Sequence, residues 1–305
     1  MPPRITVRQG GFARVRYFPR VSALLYGLVA ALGWGIADYL AALSARRVGT
    51  FRTILGMQAS SLLIFAAIIA AIGALPPLRT DAIVTALGMG ALGAVMLAAL
   101  YRALALGPIA IVSPVAAANA AVTVVLAVAL LGEELSPPQL GAIAATIAGI
   151  ALASTDLRVV RETLGRPTPG VRLALLVMVG FGVLGFLLAT TARTFGPLGM
   201  VLLLRGGTTF VLALYGVARA TAVTLPRRAL AIVVVIGVLD TSANVAFGLG
   251  AVAGYASIVA TGAAAYPLIP FALGLALLRE RIAPNQIIGV ALLVAGLAAL
   301  GASGQ

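Results

Sequence analysis

The stretch Leu130–Gly149, LLGEELSPPQLGAIAATIAG, returns 147 positions later as Leu277–Gly296, LLRERIAPNQIIGVALLVAG. Each copy closes an apolar run on Leu-Leu, then places a Glu (Glu133, Glu280), a Pro (Pro137, Pro284) and a Gln (Gln139, Gln286) before a second apolar run opens. Charged and turn-forming residues between two apolar runs spell helix, hairpin, helix, with the Pro in the first turn where its missing N–H costs nothing. Ala, Leu and Gly coincidences carry little weight in so apolar a chain. A shared Glu-x3-Pro-x-Gln at one offset carries much more.

Working outward, the same offset holds without a gap. Gly33-Trp34-Gly35 falls on Gly180-Phe181-Gly182, Tyr39 on Phe186, Ala45-Arg46 on Ala192-Arg193, and Gly49 on Gly196. Gly107 meets Gly254, and Ala116-Ala117-Ala118 meets Ala263-Ala264-Ala265. The chain is an internal duplication.

Its solvent follows from composition. Of 305 residues, 62% are hydrophobic and 10% charged, with a mean hydropathy of +1.13. A water-soluble domain carries roughly 25% charged residues, so the expected solvent is lipid. Apolar runs that can cross a core of about 30 Å are read at 22–45, 50–74, 81–106, 110–131, 136–154, 170–193, 197–219, 228–251, 255–278 and 283–302. Breakers separate them at Pro76-Pro77, Gly107-Pro108, Pro137-Pro138, Pro197, Pro226 and Pro284. The expected organisation is a basic tail over 1–21, a first repeat over 22–154, a linker over 155–169 and a second repeat over 170–302. The tail holds five arginines and no apolar run, unlike a cleavable signal peptide. Five crossings per unit is odd, so successive units enter the bilayer in opposite senses. The expected fold is all-α and integral to the membrane, with ten transmembrane helices as two inverted five-helix repeats. Transporters built this way bind substrate near the midplane, between the halves.

Several chemistries are excluded. The chain has no Cys and no His, which removes zinc and haem ligation, catalytic thiols and Ser-His-Asp triads. No cofactor or metal is expected, and the chain does not read as an enzyme. The net charge of +13 is spread over the tail and short loops, which fits anionic lipid headgroups and not nucleic acid. Gly88-x-Gly90-x-x-Gly93 matches a dinucleotide-binding spacing but lies inside an apolar helix with no preceding strand, so helix packing accounts for it better.

The two hairpins and the ungapped duplication resemble the EamA repeat, which defines the drug/metabolite transporter superfamily; the resemblance covers roughly residues 22–302. It implies a carrier or exporter of small polar metabolites, independent of ATP, with both termini cytoplasmic. Members often place an acidic residue and a Pro one helix before the hairpin Glu; this chain has Tyr266-Pro267 and Asn119-Ala120 there. The arginines argue against the implied orientation. It leaves Arg46, Arg47, Arg52, Arg102, Arg219, Arg227 and Arg228 among others outside, and only Arg79 and Arg193 inside beyond the tail.

Three ionisable residues fall well inside predicted helices: Asp38, Arg205 and Asp240. A charge at that depth costs about 2.5–3.5 kcal/mol on insertion scales, so such residues face the bundle interior. Asp38 matches Gly185 in the repeat and Asp240 matches Gly93, while Arg205 matches the polar Gln58. Charge in only one half suits a directional substrate site; a purely structural Arg205–carboxylate pair is the alternative. Asn244 lies one turn beyond Asp240 on the same face. Asn119 and Tyr266 are equivalent positions, as are Trp34 and Phe181. The candidate translocation residues are therefore Trp34, Asp38, Asn119, Arg205, Asp240, Asn244 and Tyr266.

Scaffold roles are expected elsewhere. Tyr26 and Tyr101 read as interface anchors. Glu133 and Glu280 read as caps of the next helix or as turn residues. Gly141–Ala145–Gly149 and Ala291–Ala295–Ala299 read as small-residue packing stripes. The leading function is export of an amino acid or similar metabolite across the inner or plasma membrane by alternating access, with a proton as candidate coupling ion. The alternatives are a flippase or efflux carrier for lipid-linked or hydrophobic compounds, which favours a lateral opening, and an intramembrane enzyme or structural subunit.

Overall fold

Helix α1, Ala23–Val48, begins where the Ser22 hydroxyl accepts the Leu25 amide at 3.3 Å, and ends at Gly49. Gly49 has φ 90° and ψ 149°, a conformation that favours glycine, and α2, Thr50–Ala71, leaves it in a new direction. α3 spans Thr80–Leu106, α4 Asn119–Leu131 and α5 Pro137–Ala153. α6, Pro169–Ala218, is two arms joined at Gly196, whose φ of 75° and ψ of 160° interrupt the helix just before Pro197. Gly196 is the repeat equivalent of Gly49 and adopts nearly the same conformation. α7 is Arg227–Ala253, α8 Ala256–Ala263 and α9 Pro284–Ala302.

The computed structural model describes residues 22–75, 79–106, 112, 115–155, 169–221, 224–269, 272 and 283–303. Every regular element among them is a helix. The basic tail, most of the 155–169 linker, Pro76-Pro77, Gly107-Pro108, the Tyr101 side chain and Glu280 lie outside the described residues.

Among the described residues, six helices are long and apolar enough to cross a bilayer, one of them Gly170–Ala218 at 49 residues, more than twice the roughly 20 that one crossing needs. Their outward faces stay apolar: Val217 is 81% exposed and Leu63 is 72% exposed. Water would not support such a surface, and lipid does.

Glycines decide where the helices touch. A Cβ on Gly149 would strike the Leu293 backbone and the Gly289 carbonyl; one on Gly296 would strike the backbone and hydroxyl of Thr146. α5 and α9 therefore cross backbone to backbone along Ala142, Thr146, Gly149 and Ala153 against Gly289, Leu293 and Gly296. The stripes expected from small-residue spacing share only Gly149 with this seam. Gly141 faces open space, and Ala291, Ala295 and Ala299 are exposed. Two helices approach closest where Cβ atoms are missing, and in α9 the glycines lie on a different face from the alanines.

The other close approaches come in matched sets. Gly35 of α1 lies against Ile269 and the Tyr266 carbonyl; Gly182 of α6 lies against Val122 and the Asn119 carbonyl. Gly33 meets Ala243 of α7, and Gly180 meets Met96 of α3. Gly90 of α3 abuts Gly207 and Thr208, and Gly237 of α7 abuts Met57 and Ser61 of α2. In Gly88-x-Gly90-x-x-Gly93, then, Gly90 serves helix crossing. Tyr26 is half-buried, with its Cβ beside Gly250.

Candidate functional site

Arg205 sits in the second arm of α6 and is 1% exposed, the largest fully buried side chain among the described residues. Its Nη1 donates to Oε1 of Gln58 in α2, and its Nη2 donates to Oδ2 of Asp240 in α7, forming an ion pair. Its Nε has no hydrogen-bond partner among the described residues. The Asp240 side chain remains 18% exposed. One guanidinium therefore ties three helices together, and the pair is neutral as a unit. Gln58 is a residue that motif reading did not rank as functional. Its signal was there, since it is the repeat equivalent of Arg205.

Asn244 lies one turn further along α7 and is buried, but its Nδ2 donates to the Asp240 backbone carbonyl at 2.7 Å and not to the carboxylate. The expected polar stripe of α7 exists, with its amide held by its own helix.

Asp38 is placed by α1. Leu25, Val29, Leu32 and Ile36 form the outward apolar stripe of that helix. At 100° per residue Asp38 lies about 200° around from that stripe, on the face that packs inward. Its side chain is nonetheless exposed. It lies within electrostatic reach of Asp240 and Tyr266. The close approach at Gly35, one turn earlier, brings α1 against the Tyr266 carbonyl. Trp34 is one turn before Asp38 on the same face, its ring centroid 5.7 Å from that of Phe247 in α7, tilted by 39°. Trp34, Asp38, Tyr266, Asp240 and Arg205 thus belong to one neighbourhood, and Phe247 joins it through packing that spacing alone does not reveal.

Asn119 is placed differently. It opens α4, donates Nδ2 to the Ala116 carbonyl at 3.0 Å, and presents its own carbonyl to Gly182 in the first arm of α6. Close by, Thr123 donates to the Gly182 carbonyl at 2.9 Å. These contacts tie α4 to α6 and not to the ion pair.

On the other side of α7 a groove of about 280 Å³ runs between α2 and α7, lined by Ser61, Phe65, Ile68, Thr241, Ser242 and Val245 among others. Thr241 Oγ1 is buried there without a hydrogen-bond partner among the described residues.

Glu133 forms a second charged node. It is 5% exposed and accepts from Arg193 Nη2 at 2.9 Å, the Ala256 amide at 2.6 Å, and the Ser257 amide and hydroxyl at 3.0 and 2.7 Å. Arg193 also donates to the carbonyls of Ala251 and Gly254, at the end of α7. Glu133, which the sequence reads as a cap of the next helix or as a turn residue, caps α8 instead, more than a hundred residues later. The start of α5 does not need it, because Gln139 Oε1 accepts the Ser136 amide at 2.9 Å. Gln286 does the same for Ala283 at 3.0 Å, which explains the Gln shared by both hairpins.

Comparison with known proteins places this architecture. Residues 21–155 match the EamA-like transporter family, part of the drug/metabolite transporter superfamily, whose members are transporters. No curated protein matches the sequence. A solved crystal structure matches with a TM-score of 0.71 and 21% identity, over 91% of this chain and 95% of its own length. At that identity the likeness shows the fold alone.

Proposed function

We propose that this multi-pass membrane protein, EamA-like over residues 21–155, is a secondary transporter that exports a small metabolite, an amino acid or related compound, by alternating access. In this reading it crosses the inner or plasma membrane ten times, as two inverted five-helix halves over 22–154 and 170–302 joined by a linker. Alternating access needs two packings of similar energy, and inverted halves supply them by symmetry.

The observation that carries the reading is the hydrogen bond between Arg205 and Gln58, which are 147 residues apart and occupy equivalent places in the two repeats. Equivalent residues of two units touch each other where a two-fold axis passes between them. The exchanged contacts Gly35–Ile269 and Gly182–Val122 support the same relation. An axis at Arg205 puts the ion pair at the boundary between the halves, where substrate passes in such carriers. Asp38, Trp34 and Tyr266 then face the solute, Arg205 and Asp240 form the polar centre, and Asn244 and Asn119 support it. A proton is the candidate coupling ion.

The α2–α7 groove favours a second reading, a carrier for lipid-linked or hydrophobic compounds entering from the side. The buried ion pair on the opposite side of α7 favours the first.

Purified protein in sealed liposomes should accumulate labelled amino acids or amines without ATP, at a rate that saturates with concentration. A strict requirement for nucleotide or a partner ATPase would remove the secondary-carrier reading. Flux of lipid analogues alone would select the second.

A further inference from the structure

We propose that the arginine-bearing end of α1, α6 and α7 holds the phosphate of an anionic phospholipid, whose acyl chains lie along the outer wall of α6. This goes beyond the carrier reading and stands whatever solute the protein moves.

Packing brings five exposed arginines to one end of the bundle. α1 finishes on Arg46, Arg47 and Val48, α7 opens on Arg227 and Arg228, and Arg219 directly follows α6. Ala37 and Ala41 of α1 cluster with Ile236 of α7, and Gly56 of α2 lies against Leu225 and Val233, so these helix ends share a face. Phe51 at the start of α2 meets Tyr215 of α6 with ring centroids 5.7 Å apart, and the Arg219 guanidinium lies 5.8 Å from the centre of the same Tyr215 ring. Among the described residues no carboxylate stands at this end. Asp81 pairs with Arg79 at the start of α3, and Glu133, with Glu134 beside it, meets Arg193 next to the last carbonyls of α7; both lie at the other end. Asp240 is held by Arg205 halfway along α7, and Asp38 is about 12 Å back along α1 from Arg46. The first turns of α2 and α7 contain no acid, and their N-caps make no side-chain hydrogen bond. The positive ends of both helix dipoles therefore add to the same field. A counter-charge from outside the chain relieves it.

The surroundings select a lipid over a soluble anion. Tyr215 is exposed near the end of α6, and an amphipathic ring in that position marks the headgroup level of a bilayer. Arg219 lies one turn beyond it, at the level of the phosphates. Toward the membrane interior, Phe210, Leu214 and Val217 are exposed on one face of α6 and offer acyl chains an apolar wall. Guanidinium groups match phosphate oxygens with paired hydrogen bonds, and basic sites between transmembrane helices take anionic headgroups.

Purified protein in a neutral detergent should gain thermal stability saturably as phosphatidylglycerol is added, whereas phosphatidylcholine and inorganic phosphate should not reproduce the gain. Arg219→Gln, Arg227→Gln and Arg228→Gln combined should weaken the phosphatidylglycerol response by at least about tenfold, since each basic group at an anionic surface contributes roughly fivefold. Arg79→Gln, at the other end and already paired with Asp81, should leave the response unchanged. If the triple variant does not fold, Arg219→Gln and Arg228→Gln decide singly, each expected to weaken the response by roughly threefold or more. An equal gain from phosphatidylcholine would overturn the proposal, as would an unchanged response in the folded arginine variants or an equal loss in Arg79→Gln. An equal gain from inorganic phosphate would make the cluster a soluble-anion site and overturn it too. Stabilisation is read without transport, so a liposome without flux would sink the carrier reading and leave the lipid site standing.

Discussion

Arg205 is where burial and charge are in sharpest tension. It is 1% exposed, and its charge is tolerated because Asp240 and Gln58 each take one of its terminal nitrogens. Removing one member of such a pair leaves a buried, uncompensated charge, which typically costs about 3–5 kcal/mol. Asp240→Asn should therefore lower the melting temperature of the purified protein markedly. Arg205→Gln combined with Asp240→Asn should recover most of the loss, because two neutral amides can bond to each other and to Gln58. The double variant also separates structure from transport. If it folds and still moves solute, the pair is only a clamp; if it folds and is inactive, the charges act on the solute or on a coupling proton. A stable, fully active Asp240→Asn single variant would refute both roles and leave Asp38 as the charge that matters.

At the scale of elements, the ends of helices do more than the middles to set the architecture. α8 is short, and its first-turn amides would face a buried environment unpaired if Glu133 did not reach across from the α4–α5 hairpin. The carboxylate also suits the positive end of the α8 dipole, and Arg193 completes the node by binding the last carbonyls of α7. Hydrogen bonds to charged groups contribute about 1.5–3 kcal/mol. Glu133→Gln should cost an amount of that order in thermal or denaturant unfolding. Its neighbour Glu134 is exposed, and Glu134→Gln should change stability by less than about 0.5 kcal/mol. Equal effects of the two substitutions would mean that the node does not hold α8.

At the scale of the whole molecule, the proposed inverted halves make a statement about sidedness. In that proposed arrangement five crossings would separate the start of the second half from the end of the chain, so the two points would lie on opposite faces of the membrane. The chain contains no cysteine, which makes single-cysteine labelling clean. Arg172→Cys and Ala302→Cys, both at exposed positions, should react with a membrane-impermeant maleimide from opposite sides of intact cells and inverted vesicles. Reaction from the same side would sink the inverted arrangement. Ala302 reacting from outside would keep the arrangement but turn it over, as the loop arginines suggest.

Much of this was legible in one sequence because lipid imposes strong rules. Apolar runs announced an all-helical chain with several helices apolar enough for lipid. The cost of intramembrane charge drew attention to Asp38, Arg205 and Asp240, since spacing and composition are local and additive. Pairings were not legible. That Arg205 takes both Asp240 and Gln58, that Asn244 bonds its own helix, that Asn119 joins α6 and not the ion pair, and that Glu133 serves α8 all depend on which helices are neighbours. The α5–α9 seam makes the same point: spacing proposed two small-residue stripes, and the missing Cβ atoms of Gly289 and Gly296 selected another face. Sequence alone determined the lipid solvent and the all-helical character, because each follows from residues near one another in the chain. Only the tertiary structure decided which polar groups meet, because a buried polar group takes whatever partner the packing of distant helices brings within reach.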